Sequence, residues 1–390
     1  PRSTPIKSSA AQMCIRDRTL ENLKNTVTDV LRNRGNSKLL SYKADVYEEP
    51  VWITNRQFQD YVTVGQKDAF DYLSVYFNVK DDNHPPVHFM LLHAMSSVFR
   101  GTLSPWLGCS INLVCLGITL WLLLRLGRQL ADVFSLEGKG RQLGILAVLL
   151  YGMSTGALVT VLLIRMYGLV SCLCVALFSV HVEKWKNNGF DKKNKGLIAI
   201  TVLGFLTQYF FLFYCLLLAA VTAVILLYRH RNKELWCYIR SMVIAAVIGL
   251  VLFPFAISDV FSSGRGTEAL GNLASGFAGY GQRLAAFGRI LADRTVGAPL
   301  LTGGCAAGAI LLLGKLYLSF RAGKQEQKGE NSGRDAAWML MVPVAGYFLL
   351  ASRMSPYLVD RYIMPLFPFV ALLLALLLSL PVSYTHLTLP

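Results

Sequence analysis

From residue 105 almost to residue 380, apolar runs of near-spanning length alternate with short polar tracts. A bilayer-crossing helix needs roughly 20 predominantly apolar residues, so these runs read as transmembrane helices. The predicted spans run from about Trp106 to Leu124, Leu143 to Leu163, Met166 to Val182, Trp236 to Ile257, Pro299 to Phe320, Ala336 to Leu350 and Tyr362 to Leu380. The unbroken apolar stretch from Gly196 to Tyr228 is too long for one crossing, and basic tracts on both flanks require an even number of crossings. It reads as a tight hairpin turning near Thr207-Gln208-Tyr209. The expected architecture is all-α: a polytopic transmembrane helical bundle of roughly nine spans over residues 105–380.

Ahead of these spans, residues 19–104 are expected to form loops and surface helices on the outer face. The stretch from Lys43 to Lys80 mixes aromatic and polar residues, a pattern suited to a membrane surface, where Trp and Tyr partition. The segment Asp81-Asp82-Asn83-His84-Pro85-Pro86-Val87-His88-Phe89 is the densest polar cluster beside membrane-forming sequence. Consecutive prolines cannot lie inside a helix but can open one, which predicts a helix over Val87 to Phe99, too short to cross. The acids then precede its N-terminus, where the helix dipole holds Asp82 ionised. A long Gly-rich outer loop is expected over Ser258 to Val296. Within it Arg283, Arg289 and Arg294 alternate with Leu284, Phe287, Ile290 and Leu291 in the manner of an amphipathic surface helix.

Composition supports the membrane reading, with 54% apolar and 16% charged residues among 390. The net charge of +15 resides in short tracts between apolar segments with no interleaved aromatic platform, which argues against nucleic acid as a partner. Arg125, Arg128, Lys139 and Arg141, the lysines from Lys184 to Lys195, the tract from Arg229 to Arg240, and Lys324, Lys328 and Arg334 all fall on one side of the predicted topology. That side is the cytoplasm by the positive-inside rule, leaving Asp82, Arg165, Arg283, Arg353 and Arg361 on the outer face. Seven of eight cysteines sit in or beside apolar helices, with no CxxC pair, and read as core thiols. Residues 1–18 and 382–390 resemble translated sequencing adapter and are set aside from the fold.

Arg165-Met166-Tyr167 joins two spans through a very short turn. Arginine is always charged and its fork matches phosphate oxygens, so an outward arginine at a membrane mouth suits a lipid-linked phosphate; the plainer alternative is snorkelling into headgroups. Arg361-Tyr362, at the outer edge of the final span, offers a second such group. His84 is expected to hydrogen-bond nearby acids. His84 and His88 share a helical spacing, but His93 leaves that face, so no metal ligands are designated. No cofactor is implied with certainty, and a divalent metal stays open.

Asp82 through Phe89, Arg165-Met166-Tyr167 and Arg361-Tyr362-Ile363-Met364-Pro365-Leu366-Phe367-Pro368 occur in an order that resembles bacterial GT-C membrane glycosyltransferases, in the group related to protein mannosyltransferases and aminoarabinose transferases. The likeness covers roughly Val46 to Leu380. It implies transfer of a sugar from a polyprenyl-phosphate donor to an acceptor glycan, lipid or protein, on the non-cytoplasmic face of the bacterial cytoplasmic membrane, with inversion. Members of the group usually carry a first transmembrane helix followed by a loop with an acidic pair. Here that helix is not found, and Glu48-Glu49 or Asp45 stand for the loop. Leu162, Leu163 and Ile164 replace the polar residue that often precedes the Arg-x-Tyr element.

The expected site therefore has Asp82, then Glu48 or Glu49, as catalytic carboxylates, and His84, Arg165, Tyr167, Arg361 and Tyr362 as substrate-binding groups among membrane lipids. A transporter or flippase of lipid-linked glycans is the main rival, and a glycan polymerase or ligase the next. A transporter predicts charges near the bilayer midplane and broken helices, whereas this sequence keeps its charges at helix ends.

Overall fold

The computed structural model describes residues 54, 55, 59, 62–66, 68–80, 84–136, 138–261, 263–297 and 328–379. Glu48, Glu49, Asp82, the expected span from Pro299 to Phe320 and the two adapter-like ends lie outside the described residues.

The described residues contain helices and no strand. In chain order they are α1 (Tyr72–Asn78), α2 (Val87–Val98), α3 (Trp106–Val133), α4 (Gly140–Gly152), α5 (Thr155–Leu162), α6 (Tyr167–Lys186), α7 (Lys195–Phe205), α8 (Phe211–Tyr228), α9 (Asn232–Leu252), α10 (Ala256–Phe261), α11 (Gly264–Ala274), α12 (Tyr280–Thr295), α13 (Lys328–Met354) and α14 (Phe367–Ser379). Two 3-10 turns, Asp360–Tyr362 and Met364–Leu366, precede α14. Five helices, α3, α6, α8, α9 and most of α13, are long and apolar enough to cross a membrane, and α4 with α5 makes a sixth candidate bent by 59°. The chain is a membrane-embedded helical protein. On α9, Val243, Val247 and Val251 are all exposed at a spacing of four residues, an apolar stripe that suits hydrocarbon and not water.

Local sequence explains where the elements begin and break. Helix α2 starts at Val87 directly after Pro86, as the proline pair dictates. The α4–α5 bend falls at Met153-Ser154, where Ser154 adopts an extended conformation and its Oγ accepts from the Ala157 amide at 3.1 Å as an N-cap. The 196–228 stretch breaks between Phe205 and Phe211, around the expected turn. Several helices outrun their apolar runs: α3 continues through Arg125 and Arg128, α6 through Lys184 and Lys186, and α13 begins ahead of Arg334. These tracts are rich in strong helix formers, so the backbone stays helical past the hydrophobic boundary. Cross-helix pairs then occupy the extensions, with Arg125 bonded to Glu183 at 2.6 Å and Lys186 paired with Asp132.

Helix packing is closest where α3 crosses α4. A Cβ placed on Gly127 would lie 2.3 Å from the Gly144 Cα, so only paired glycines allow that approach. Deeper in the bundle, Leu123, Leu126 and Phe178 are fully buried, and Tyr214 stacks on Phe369 at 4.9 Å.

The bundle has two chemically different ends. At one end the basic tracts converge: Arg229 makes a two-pronged bond to Asp335, Lys233 pairs with Asp191, and Lys139 donates to the Ser379 carbonyl closing α14. At the other end lie α2, the α5–α6 and α7–α8 turns, α10 to α12 and the 3-10 turns. There α12 is the expected amphipathic helix, with Phe287 fully buried. Its Arg283 donates to the carbonyls of Ser352 and Ser355 at 3.0 and 2.6 Å, and its Arg294 pairs with Asp360 at 2.9 Å. Arg353 donates to the Gly276 carbonyl at 3.0 Å and stacks over Phe277 and Tyr280.

Candidate functional site

The α5–α6 turn is built from beneath by one buried amide. Asn112 on α3 is 1% exposed, and its Nδ2 donates to the carbonyls of Leu163 at 2.7 Å and Val161 at 3.3 Å. The end of α5 leaves both carbonyls without helical partners; Asn112 satisfies that of Val161 and shares that of Leu163 with the Arg165 amide, which donates to it at 2.6 Å, so the two bonds together fix the chain entering Arg165. Gly168 allows the close fit on the other side of the turn, since a Cβ there would lie 2.7 Å from the Asn112 Oδ1. Tyr167, at the first position of α6, is buried against the same end of the bundle.

Arg361 and Tyr362 arrive from the far end of the sequence, in the 3-10 turn before α14. The Arg294–Asp360 ion pair anchors that turn from α12, and the Tyr347 hydroxyl donates to the Tyr362 carbonyl at 2.9 Å from α13. The Arg361 guanidinium lies over the Tyr362 ring, 5.2 Å from its centre, and Tyr362 in turn lies 5.2 Å from the Phe210 ring. His84 is brought in by the opening of α2, because the Val87 amide donates to the Leu206 carbonyl at 3.0 Å and ties that segment to the α7–α8 turn.

These pieces enclose a cavity of about 230 Å3 at the end of the bundle opposite the basic tracts. His84, Arg165, Tyr167, Arg361 and Tyr362 all line it, so all five sequence-predicted binding residues within the described chain meet at one place. Its apolar wall comes from the first turns of α8, Leu212, Phe213 and Leu216, the last of them 62% exposed on the outer surface. The expected acids Asp82, Glu48 and Glu49 lie outside the described residues.

Charge within the cavity is unbalanced. Arg283, Arg294 and Arg353 are each bonded to an acid or to carbonyls, whereas among the described residues Arg165 and Arg361 have no carboxylate within ion-pair distance. The Arg361 Nη2 donates to the Tyr362 hydroxyl at 3.4 Å, and among the described residues the buried Arg361 Nε has no hydrogen-bond partner. Near Arg165, His88 is fully buried, and among the described residues neither of its ring nitrogens has a hydrogen-bond partner. Burial pushes its imidazole down to about 4, and the neighbouring His84 and Arg165 act in the same sense, so His88 is neutral at pH 7. A neutral imidazole adds no positive charge beside Arg165.

Two cavity residues were not foreseen from sequence. Asp259, on α10, is 5% exposed and accepts a hydrogen bond from the Tyr209 hydroxyl at 2.6 Å. The sequence signal for both was local only: Tyr209 falls in the predicted turn, and Asp259 is an acid just after the apolar run ending at Ile257. Their meeting depends on packing between residues 50 positions apart. Among the described residues, no group of three or more His, Cys, Asp or Glu side chains is placed to hold a metal. No protein-family model, curated protein or solved structure matches this chain.

Proposed function

We propose that the protein is a membrane glycosyltransferase that moves a sugar from a polyprenyl-phosphate donor to an acceptor hydroxyl on a glycan, lipid or protein. The reaction takes place at the non-cytoplasmic face of the bacterial cytoplasmic membrane with inversion at the anomeric carbon, in a GT-C-like bundle of roughly nine spans. The observation that carries this reading is the convergence of Arg165 and Arg361 on one cavity, where among the described residues neither is ion-paired to a carboxylate. Two guanidiniums held together in a partly buried site are favourable when an anion joins them, and phosphate fits their geometry best. Tyr167 and Tyr362 supply hydroxyl donors to the same anion. The exposed apolar wall at Leu216 gives a prenyl chain a route into the bilayer. The basic end of the bundle, opposite the cavity, supports placing the cavity outside.

In the reaction, the acceptor oxygen attacks the anomeric carbon from the side opposite the phosphate. The bond from that carbon to the phosphate oxygen breaks, and its electron pair leaves with polyprenyl phosphate. The acceptor proton passes to a carboxylate, Asp82 as first choice and Glu48 or Glu49 as second, an assistance worth roughly a hundredfold to ten-thousandfold. Arg165 and Arg361 stabilise the charge growing on the leaving phosphate, which is usually the largest electrostatic contribution.

Membranes containing the protein, supplied with polyprenyl-phosphate sugars, should release polyprenyl phosphate and form a glycoside of inverted configuration. Arg165→Ala and Arg361→Ala should each remove that product at normal protein levels. A wild-type rate in either variant would take that arginine out of the mechanism, and retained configuration would exclude single displacement.

A further inference from the structure

Asn194, immediately before α7, donates to the Ser241 hydroxyl of α9 at 2.8 Å, and at the far end of the same seam the Phe205 ring of α7 packs on Gly249 of α9. These two contacts make α7 and α9 parallel, both starting at the basic end of the bundle. Each helical residue turns about 100° from the last, so Lys195, one step onward from Asn194, and Arg240, one step back from Ser241, turn to the same side of the seam. Both are exposed, and among the described residues neither is ion-paired. The acids nearest them in sequence are engaged elsewhere, Asp191 with Lys233 at 3.3 Å and Glu234 with Arg231 at 2.6 Å.

Arg240 is set in an otherwise apolar face. Trp236, one turn before it, is 69% exposed, and Ile244, Val247 and Val251, on the turns that follow, are exposed as well. From the basic end inward this face reads indole, guanidinium and then aliphatic stripe, the order in which a bilayer presents its interface, its phosphates and its hydrocarbon. Arg240 and Lys195 thereby place two cations at the depth of a lipid phosphate.

We infer that the Lys195–Arg240 edge of the α7–α9 seam binds the phosphate of an anionic phospholipid, whose acyl chains lie along Ile244, Val247 and Val251. Charge selects this occupant. A zwitterionic lipid brings its own ammonium, which two unpaired cations repel, whereas an anionic headgroup offers them a phosphate without a counter-cation. A second copy of the chain, packed about a two-fold axis on this face, would set the same cations against each other.

The test uses the purified full chain in phosphatidylcholine nanodiscs into which brominated lipids, quenchers of indole fluorescence, are mixed. The difference in emission between the wild type and Trp236→Phe isolates Trp236 among the six tryptophans. Brominated phosphatidylglycerol should half-quench that signal at a mole fraction about fivefold lower than brominated phosphatidylcholine, the preference expected of a basic residue beside a charged headgroup. Lys195→Ala and Arg240→Ala should each lower this ratio, and the double variant should abolish the preference. Arg240→Lys keeps the charge and should keep most of it. Both side chains are exposed, so these substitutions leave the core untouched. Soluble glycerol phosphate should not relieve the quenching, because it lacks acyl chains; relief would overturn the lipid in favour of a free phosphate. Equal quenching by the two lipids in the wild type, or a ratio unchanged in the double variant, overturns the assignment. Failure of both lipids to quench Trp236 overturns it as well, and two copies of the chain per disc in that case would identify this face as a contact between copies.

Discussion

The Nδ2 of Asn112 on α3 donates at 2.7 Å to the Leu163 carbonyl, the same carbonyl that accepts from the Arg165 amide at 2.6 Å, so Asn112 helps to set the position of Arg165. An apolar side chain in place of Asn112 strands the Val161 carbonyl and leaves Leu163 only its bond from the Arg165 amide at 2.6 Å, at a cost of about 1–3 kcal/mol. Asn112→Leu should therefore lower the melting temperature in detergent and reduce sugar transfer, even though Asn112 does not line the cavity. Unchanged transfer would mean that the turn holds Arg165 without it.

Arg165→Lys and Arg361→Lys keep the charge and remove the fork. Each should lower turnover by roughly ten- to a hundredfold while the fold survives, because a point charge cannot reproduce two parallel bonds to phosphate. Initial rates at saturating donor measure this, and a full wild-type rate in the Arg165 variant would indicate an arginine that merely snorkels.

The α3–α4 crossing gives a contrasting prediction. Gly127→Ala places a Cβ 2.3 Å from the Gly144 backbone, which cannot yield as a flexible side chain would. The helices must separate, at roughly 1–3 kcal/mol as for other overpacked sites. Thermal stability should fall, while the donor affinity of the folded fraction stays near that of the wild type, since neither glycine lines the cavity.

His88 links stability to pH. Its folded value of about 4 lies below the ordinary 6.5, so the unfolded chain takes up the proton first. Stability is then full above about 6.5 and falls as pH drops toward 4, by an amount on the order of 3 kcal/mol at most. Melting temperatures of the wild type and His88→Leu should diverge from each other with pH across that window; parallel curves would exclude His88 as the titrating group.

Much of this arrangement could be read from local patterns. The apolar runs on α3, α6 and α8 and the proline pair opening α2 depend on neighbours in sequence, as do the turn at Thr207 to Tyr209 and the amphipathic face of α12. The extension of α3 through Arg125 and Arg128 was not legible, because hydropathy marks where the membrane ends and helix propensity decides where the helix does. The bend at Ser154 was likewise hidden inside a continuous apolar run, although Ser154 with an amide donor three residues later is a capping signal. For the site, the two Arg-Tyr pairs stood out because an arginine beside an apolar span needs a reason. Asp259 did not, since an acid at the start of a loop is ordinary until Tyr209 is packed against it.

The most direct test of the central claim uses a polyprenyl-phosphate sugar labelled on both its lipid and its sugar, given to proteoliposomes containing the protein and an acceptor. Transfer separates the two labels, leaving one on polyprenyl phosphate and the other on the acceptor, and Arg165→Ala should stop that separation. Movement of both labels together across the bilayer, with no acceptor labelled, would contradict the glycosyltransferase account and identify a carrier of lipid-linked sugar instead.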